Sequence, residues 1–194
     1  MKKDKSKIIF IAATSEEIAP FRKKFSKLSQ YDYLVVGVGI IEATRIFAER
    51  VKEFSSKELF IFVGSSGAYS KKDNILDTYI GSRVKLQIPP NSYLPKVISS
   101  EYLLYAPKNL GLKKKTIYNP IAITKNNGIK NLGVENLEAF ALAHIANENN
   151  LKFSVITTIT NHVGPNAHNE WKANNKKAAK LTADLCYELR VFLR

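Results

Sequence analysis

The 194-residue sequence contains a single cysteine, Cys186, so no intrachain disulfide can form and a reducing, cytoplasmic setting is expected. Long apolar runs are also missing. The first one, Ile8 to Ala13, is too short for the core of a secretory signal, and nothing approaches the length of a membrane span. A soluble protein with no membrane partner is expected. No two of the three histidines lie at ligand spacing on one helix, and the lone cysteine has no partner, so no metal site is expected. Glycine patterns exclude further chemistry. No Gly-Lys-Ser/Thr follows Gly64-Ser65-Ser66-Gly67, so this is not a phosphate loop of the P-loop type. Gly37-Val38-Gly39 lacks the third glycine and the distant acid of a dinucleotide fingerprint. No Gly-x-Ser-x-Gly elbow is present, which argues against a serine hydrolase. No cofactor is expected.

Acidic residues are few: 17 Asp and Glu face 30 Lys and Arg, for a net charge of +13. A surface for nucleic acid would gather Arg and aromatic residues on one face. Here the basic residues are mostly Lys, scattered, with no Lys run longer than Lys113-Lys114-Lys115, so the charge reads as a solvated surface. What the chain does have is core-forming material: 45% hydrophobic residues, including ten Phe and nine Tyr. That suits one globular domain over residues 1–194.

Continuous β-branched runs predict buried strands at Lys7–Ala13, Tyr33–Val38, Leu59–Val63 and Phe153–Ile159. Thr78–Leu86 alternates and suits an exposed or edge strand. Helices are predicted from Thr14 to Leu28, with a hydroxyl N-cap and first-turn acids, and over Ile41–Phe54, Leu137–Asn149 and Glu170–Leu193. Prolines break residues 87–131 into loops and short strands. Repeated strand–glycine–helix units imply an α/β fold, three-layered α/β/α around a mixed, mostly parallel sheet. Ligands bind beyond the carboxyl ends of such strands. Thr14–Glu17, Gly37–Gly39, Gly64–Gly67 and Thr160–Val163 all fall there.

Each candidate also has a plainer reading. Glu17 stands one turn into the first helix, where an acid can simply compensate the helix dipole. Glu138 opens an apolar helix that packs on the sheet, where a carboxylate needs partners. Asn161 follows a buried strand and offers a donor and an acceptor to a heterocycle, or serves a turn. Gly64–Gly67 can bring backbone amides to a ligand, or merely turn the chain. His144 is expected on its helix's packing surface and His168 in a loop.

Together, IIFIAATSEEIAPF, YLVVGVGIIEATRIF, LFIFVGSSGAY, VENLEAFALAHIA and ITTITNHVGPNAHNEW resemble, in order and spacing, the purine nucleoside phosphorylase/nucleosidase superfamily. Within it the sequence is most similar to futalosine hydrolases, and next to methylthioadenosine/S-adenosylhomocysteine nucleosidases. The opening AATSEEIAPF and the pattern Asn161, Val163, Pro165, Trp171 carry that likeness. The resemblance implies hydrolysis of a purine N-glycosidic bond without cofactor or metal. It implies that Glu17 positions the attacking water, Glu138 binds ribose hydroxyls, Leu137 packs on the ribose, and Ser65 and Gly67 line the site. It also implies a homodimer and a small purine nucleoside as the only substrate partner.

Three positions refine the expectation. Phosphate-using relatives place Arg where this chain has Phe62 and the acidic Ser15-Glu16-Glu17, so water is the better nucleophile here. Adenine-directed relatives carry Asp where this chain has Asn161. An amide NH₂ can donate to both N7 and O6, which suits a 6-oxopurine such as the hypoxanthine of futalosine, a menaquinone precursor. Thr157 replaces an Arg that in relatives helps hold the carboxylates, so either another cation, such as a Lys, takes that part or turnover is poor. A phosphorylase, an adenine-releasing nucleosidase and a catalytically silent nucleoside-binding relative remain as alternatives.

Overall fold

The computed structural model describes residues 7–54, 57–88, 99–107, 110–123 and 133–193. Much of the proline-broken stretch between 87 and 131 lies outside them. The described chain runs β1 (Ile8–Ala12), α1 (Ser15–Phe25), β2 (Tyr31–Val35), α2 (Gly39–Arg50), β3 (Leu59–Ala68), β4 (Thr78–Leu86), β5 (Glu101–Leu103), β6 (Lys114–Asn119), β7 (Val134–Glu135), α3 (Ala139–Glu148), β8 (Lys152–His162) and α4 (Ala167–Glu188).

Strand periodicity sorts the core into two layers. Ile9, Ile11, Phe60, Phe62, Val155 and Ile159 face α2 and α3, where Ala43, Phe47, Ala139 and Leu142 are buried with them. Ile8, Phe10, Ile61, Val63 and Ile156 face the other way, against Ile18, Phe21 and Phe25 of α1 and Ala183 and Cys186 of α4. The result is the expected α/β/α sandwich. Its sheet is mixed: β1 runs parallel to β2 and β3, β3 to β8, and β6 to β4 and β7, while β3–β7, β4–β5 and β4–β8 are antiparallel. Because β3 pairs with β7 as well as β8, and β4 with β6 as well as β8, the strands β3, β8, β4, β6 and β7 close into a ring.

The ring explains where the sequence reading was too short. β3 does not stop at Val63 but runs on through Gly64–Gly67, because β8 pairs with it all the way to His162. Strand β2 starts and ends earlier than the apolar residues suggest, aligned in register with β1 from Ile8 to Ala12. β4 is no edge strand, since β5, β6 and β8 all pair with it. Helix α2 gives way after Arg50 to a 3-10 turn over Val51–Glu53. His168 lies in the first turn of α4 rather than in a loop, and His144 is exposed, its Nδ1 2.8 Å from the Tyr102 hydroxyl. Among the described residues no helix is long and apolar enough to cross a membrane.

The two-residue strand β7 matters because only three residues separate it from α3. Gly133, just before β7, lies so close to β6 that a Cβ there would sit 2.2 Å from the Thr116 carbonyl oxygen. Backbone on both sides cannot give way cheaply. Gly133→Ala should therefore cost roughly 2–3 kcal/mol, a loss of about 4–10 °C in Tm for a chain of this size. A thermal melt within about 1 °C of the parent would show that the strands can part freely.

Candidate active site

Helix α1 is set by a capping box. Thr14 Oγ1 accepts from Glu17 N at 3.2 Å, and Glu17 Oε2 accepts from Thr14 N at 3.2 Å and from the Thr14 hydroxyl at 3.3 Å. The plainer role of Glu17 is thus real. It is not the only one, because the other oxygen turns to the end of β3. Glu17 Oε1 accepts from Ser65 N at 3.2 Å and Ser65 Oγ at 3.3 Å. Burial pushes the Glu17 pKa up, and these donors partly restrain the rise.

Glu138 is buried at the start of α3. Its Oε1 accepts from Gly39 N at 2.8 Å, at the N-terminus of α2, a helix whose own N-cap residue offers no side-chain bond. Gly39 has φ +85°, a conformation that costs glycine little, and this aims its amide at the carboxylate. Burial, followed by the charge of Glu17, raises the Glu138 pKa to about 7 despite the Gly39 bond.

Both carboxylates line one cavity of about 280 Å³ beside β3, β7 and β8, close to the ~300 Å³ at which small-molecule sites begin. Ser65, Gly67, Leu137 and Asn161 line it too, so the six residues given catalytic or binding roles come to one place. Gly67 pairs with Glu135 on one side and Asn161 on the other, and a Cβ on it would fall 2.9 Å from Asn161 Nδ2. The Thr160 hydroxyl donates to Asn161 Oδ1 at 2.9 Å, orienting the amide with its NH₂ toward Gly67.

Other residues at or beside the cavity were given no role in the sequence reading. Asn136 is buried against the cavity, its Oδ1 accepting from the amides of Glu138 and Ala139 at 3.0 and 2.8 Å. An Asn just before an apolar helix is an N-cap signal that could have identified it. Asn119 of β6, fully buried, donates to Leu137 O at 3.1 Å and accepts from Phe140 N at 2.9 Å, a link no local pattern announces. Glu135 lines the cavity and accepts from the Tyr69 hydroxyl at 3.0 Å. Trp171 Nε1 donates to Ser65 Oγ at 3.2 Å, and its ring stacks on His168 with centroids 5.9 Å apart.

No Lys or Arg among the described residues lines the cavity, so the expected substitute cation is not found there. Phe62 is wholly buried beneath Gly64, and Thr157 is buried in β8 opposite Gly64 and Tyr79. No group of three or more His, Cys, Asp or Glu among the described residues could hold a metal.

No protein-family profile matches the chain, and no curated protein matches it in sequence. Solved structures do. A methylthioadenosine nucleosidase variant from Helicobacter pylori, with 5′-methylthioadenosine in its active site, superposes with TM-score 0.81 at 14% identity, over 96% of this chain and 98% of its own. A futalosine hydrolase mutant from the same organism gives 0.80 at 15% identity, over 96% and 99%. A putative methylthioadenosine/S-adenosylhomocysteine nucleosidase from Francisella philomiragia gives 0.82 at 15% identity, over 96% and 99%. The chain therefore shares the fold of these solved nucleosidases.

The electrostatics of Glu138 can be read in stability. With its pKa raised from 4.5 to about 7, the folded protein holds a proton that the unfolded chain releases between those values. Stability falls as pH rises through this window and stays lowered above it. Glu138→Gln removes the charge and keeps an acceptor for Gly39. Its Tm should exceed that of the parent by several degrees at about pH 8, the gap narrowing toward about pH 5. A gap independent of pH would contradict a buried, proton-holding Glu138.

Proposed function

We propose that the protein is a single-domain nucleosidase that hydrolyses the N-glycosidic bond of a purine nucleoside. One observation carries this reading: Glu17 and Glu138 converge, from α1 and α3, on one cavity with Asn161. Departure of the base leaves positive character on the ribosyl carbon and puts negative charge on the base. Glu138 accepts hydrogen bonds from the ribose hydroxyls, and these donors favour its ionised form. Glu17 orients or deprotonates a water for attack at the ribosyl carbon. Its longest contacts, with the Ser65 and Thr14 hydroxyls at 3.3 Å, are the ones that water would replace. Asn161 donates to the departing base, most fully in the transition state. Leu137, Ser65 and Gly67 shape the ribose and base walls.

Water is favoured over phosphate because the described lining carries carboxylates and no Lys or Arg. A phosphate dianion would enter a negative cavity unaided. The Asn161 amide, its Oδ1 held by the Thr160 hydroxyl, has its NH₂ to offer a base, which favours a 6-oxopurine, and hence a futalosine-type, hypoxanthine-releasing substrate of menaquinone synthesis in the cytoplasm. The solved neighbours include both a futalosine hydrolase and methylthioadenosine nucleosidases, so an adenine nucleoside is the second reading.

The decisive measurement is base release from futalosine, aminofutalosine, methylthioadenosine and inosine, with and without phosphate. Phosphate-independent release of hypoxanthine is expected, and Glu17→Gln and Glu138→Gln should each lower kcat by roughly 10²-fold or more with the fold intact. Release only from adenine nucleosides would overturn the role given to Asn161, and strict dependence on phosphate would overturn hydrolysis. Near-parental kcat in either variant would remove that carboxylate from the mechanism.

The protein also works as a homodimer on this reading. Val38 and Ile123 line the cavity while 62% and 54% exposed, and Ile41 and Ile121 are exposed at 81% and 68%, an apolar set suited to a second copy. Light scattering should give twice the 21.8 kDa chain mass, and a monomer at assay concentration would refute the dimer.

A further inference from the structure

We propose that Asn136 is a positioning residue that yokes the two carboxylates to one another. The inference rests on the nucleosidase reading above. Asn136 Nδ2 donates to Ser65 O at 3.2 Å, while its Oδ1 accepts from Glu138 N at 3.0 Å and Ala139 N at 2.8 Å. Ser65 in turn gives its amide and hydroxyl to Glu17 Oε1. A hydrogen-bonded path therefore runs from Glu17 through Ser65 and the Asn136 side chain to the backbone of Glu138. It joins β3, at Ser65, to the start of α3.

Asn119 completes the bracket. Its hold on Leu137 O and Phe140 N fixes the next peptide units against β6. Asn119 orients the α3 start, and Asn136 sets its distance from Ser65. The bracket matters because misplacing reacting groups by about 1 Å can cost on the order of 10²-fold in rate. Burial adds to the need: Asn136 is 6% exposed, so each lost bond leaves a polar group without water.

The competing role is helix capping alone, and substitutions separate the two. Asn136→Ser keeps a good N-cap but is too short to reach Ser65 O. Asn136→Asp keeps volume and both acceptor bonds, yet has no donor for Ser65 O. Yoking predicts that both variants fold, each losing at most about 10 °C in Tm through the orphaned Ser65 carbonyl, while kcat falls by about tenfold or more, with KM changed by less than about threefold. In a Glu17→Gln background Asn136→Ser should cost less than about threefold, because the two act as one unit. The chain's one tryptophan supplies a readout independent of turnover. Trp171 bonds to Ser65 Oγ, so its emission should shift in both variants if Ser65 moves.

Parental kcat and unshifted Trp171 emission in Asn136→Ser would overturn the yoke. So would an equal cost of that substitution with and without Glu17, or a loss of Tm and kcat in Asn136→Ser that Asn136→Asp does not share. The parent protein, assayed alongside on the four nucleosides, tests the nucleosidase reading separately. If the parent releases no base, that reading fails, and the Trp171 emission still decides whether Asn136 holds Ser65.

Discussion

Two glutamates can share a buried cavity only if each receives donors that replace the water it has lost. A buried cation would be the direct remedy, and none lines the described walls. The protein uses backbone amides and hydroxyls instead. Glu17 takes the amides of Thr14 and Ser65 with their hydroxyls, and Glu138 takes the amide of Gly39. Dipoles of this kind restrain a carboxylate's pKa without adding formal charge. Both pKa values remain above the ordinary range because burial outweighs the donors.

The fold exists to deliver those donors to one place. Parallel strands β1, β3 and β8 end on the same side, so Thr14, Ser65 and Asn161 arrive together. The register shift between Ser66 and Gly67 then carries β3 onward to meet β7 as well as β8. That second pairing brings Glu135 and Asn136 to the cavity and starts α3 beside it. Ser65 is the shared point: its amide and hydroxyl serve Glu17, its carbonyl serves Asn136, and its hydroxyl also receives Trp171.

What could be read in the sequence follows from range. Thr14 and Glu17 are three residues apart, so a capping box and a helix start are written locally, as are the buried strands. Glu138 was legible as a conflict, an acid opening an apolar helix. Its partner Gly39 lies 99 residues away, and Asn136 is 71 residues from Ser65, distances at which no periodicity speaks. Strand ends were misjudged for the same reason. Gly64–Gly67 has the composition of a turn, but the ladder from β8 holds it extended. His144 shows the reverse error, a residue assigned to the packing face of an apolar helix whose partner, Tyr102, lies at the surface.

Phe62 and Thr157 are best understood together. They stand where the resemblance expects arginines, and both are buried, Phe62 with its ring against Gly64. An arginine under Gly64 would lower both carboxylate pKa values and attract anions. An aromatic ring lacks that charge and leaves in place the rise that burial gives Glu17. On the hydrolytic reading this is an advantage, since a glutamate that is a stronger base is better at taking a proton from water near neutral pH. The same ring leaves a phosphate dianion no counter-charge. On that reading the two residues favour water twice, by leaving basic the group proposed to activate it and by offering its competitor no counter-charge. In exchange the carboxylates must be held in place by hydrogen bonds alone, which is why so much of the second layer around them is asparagine, serine and threonine.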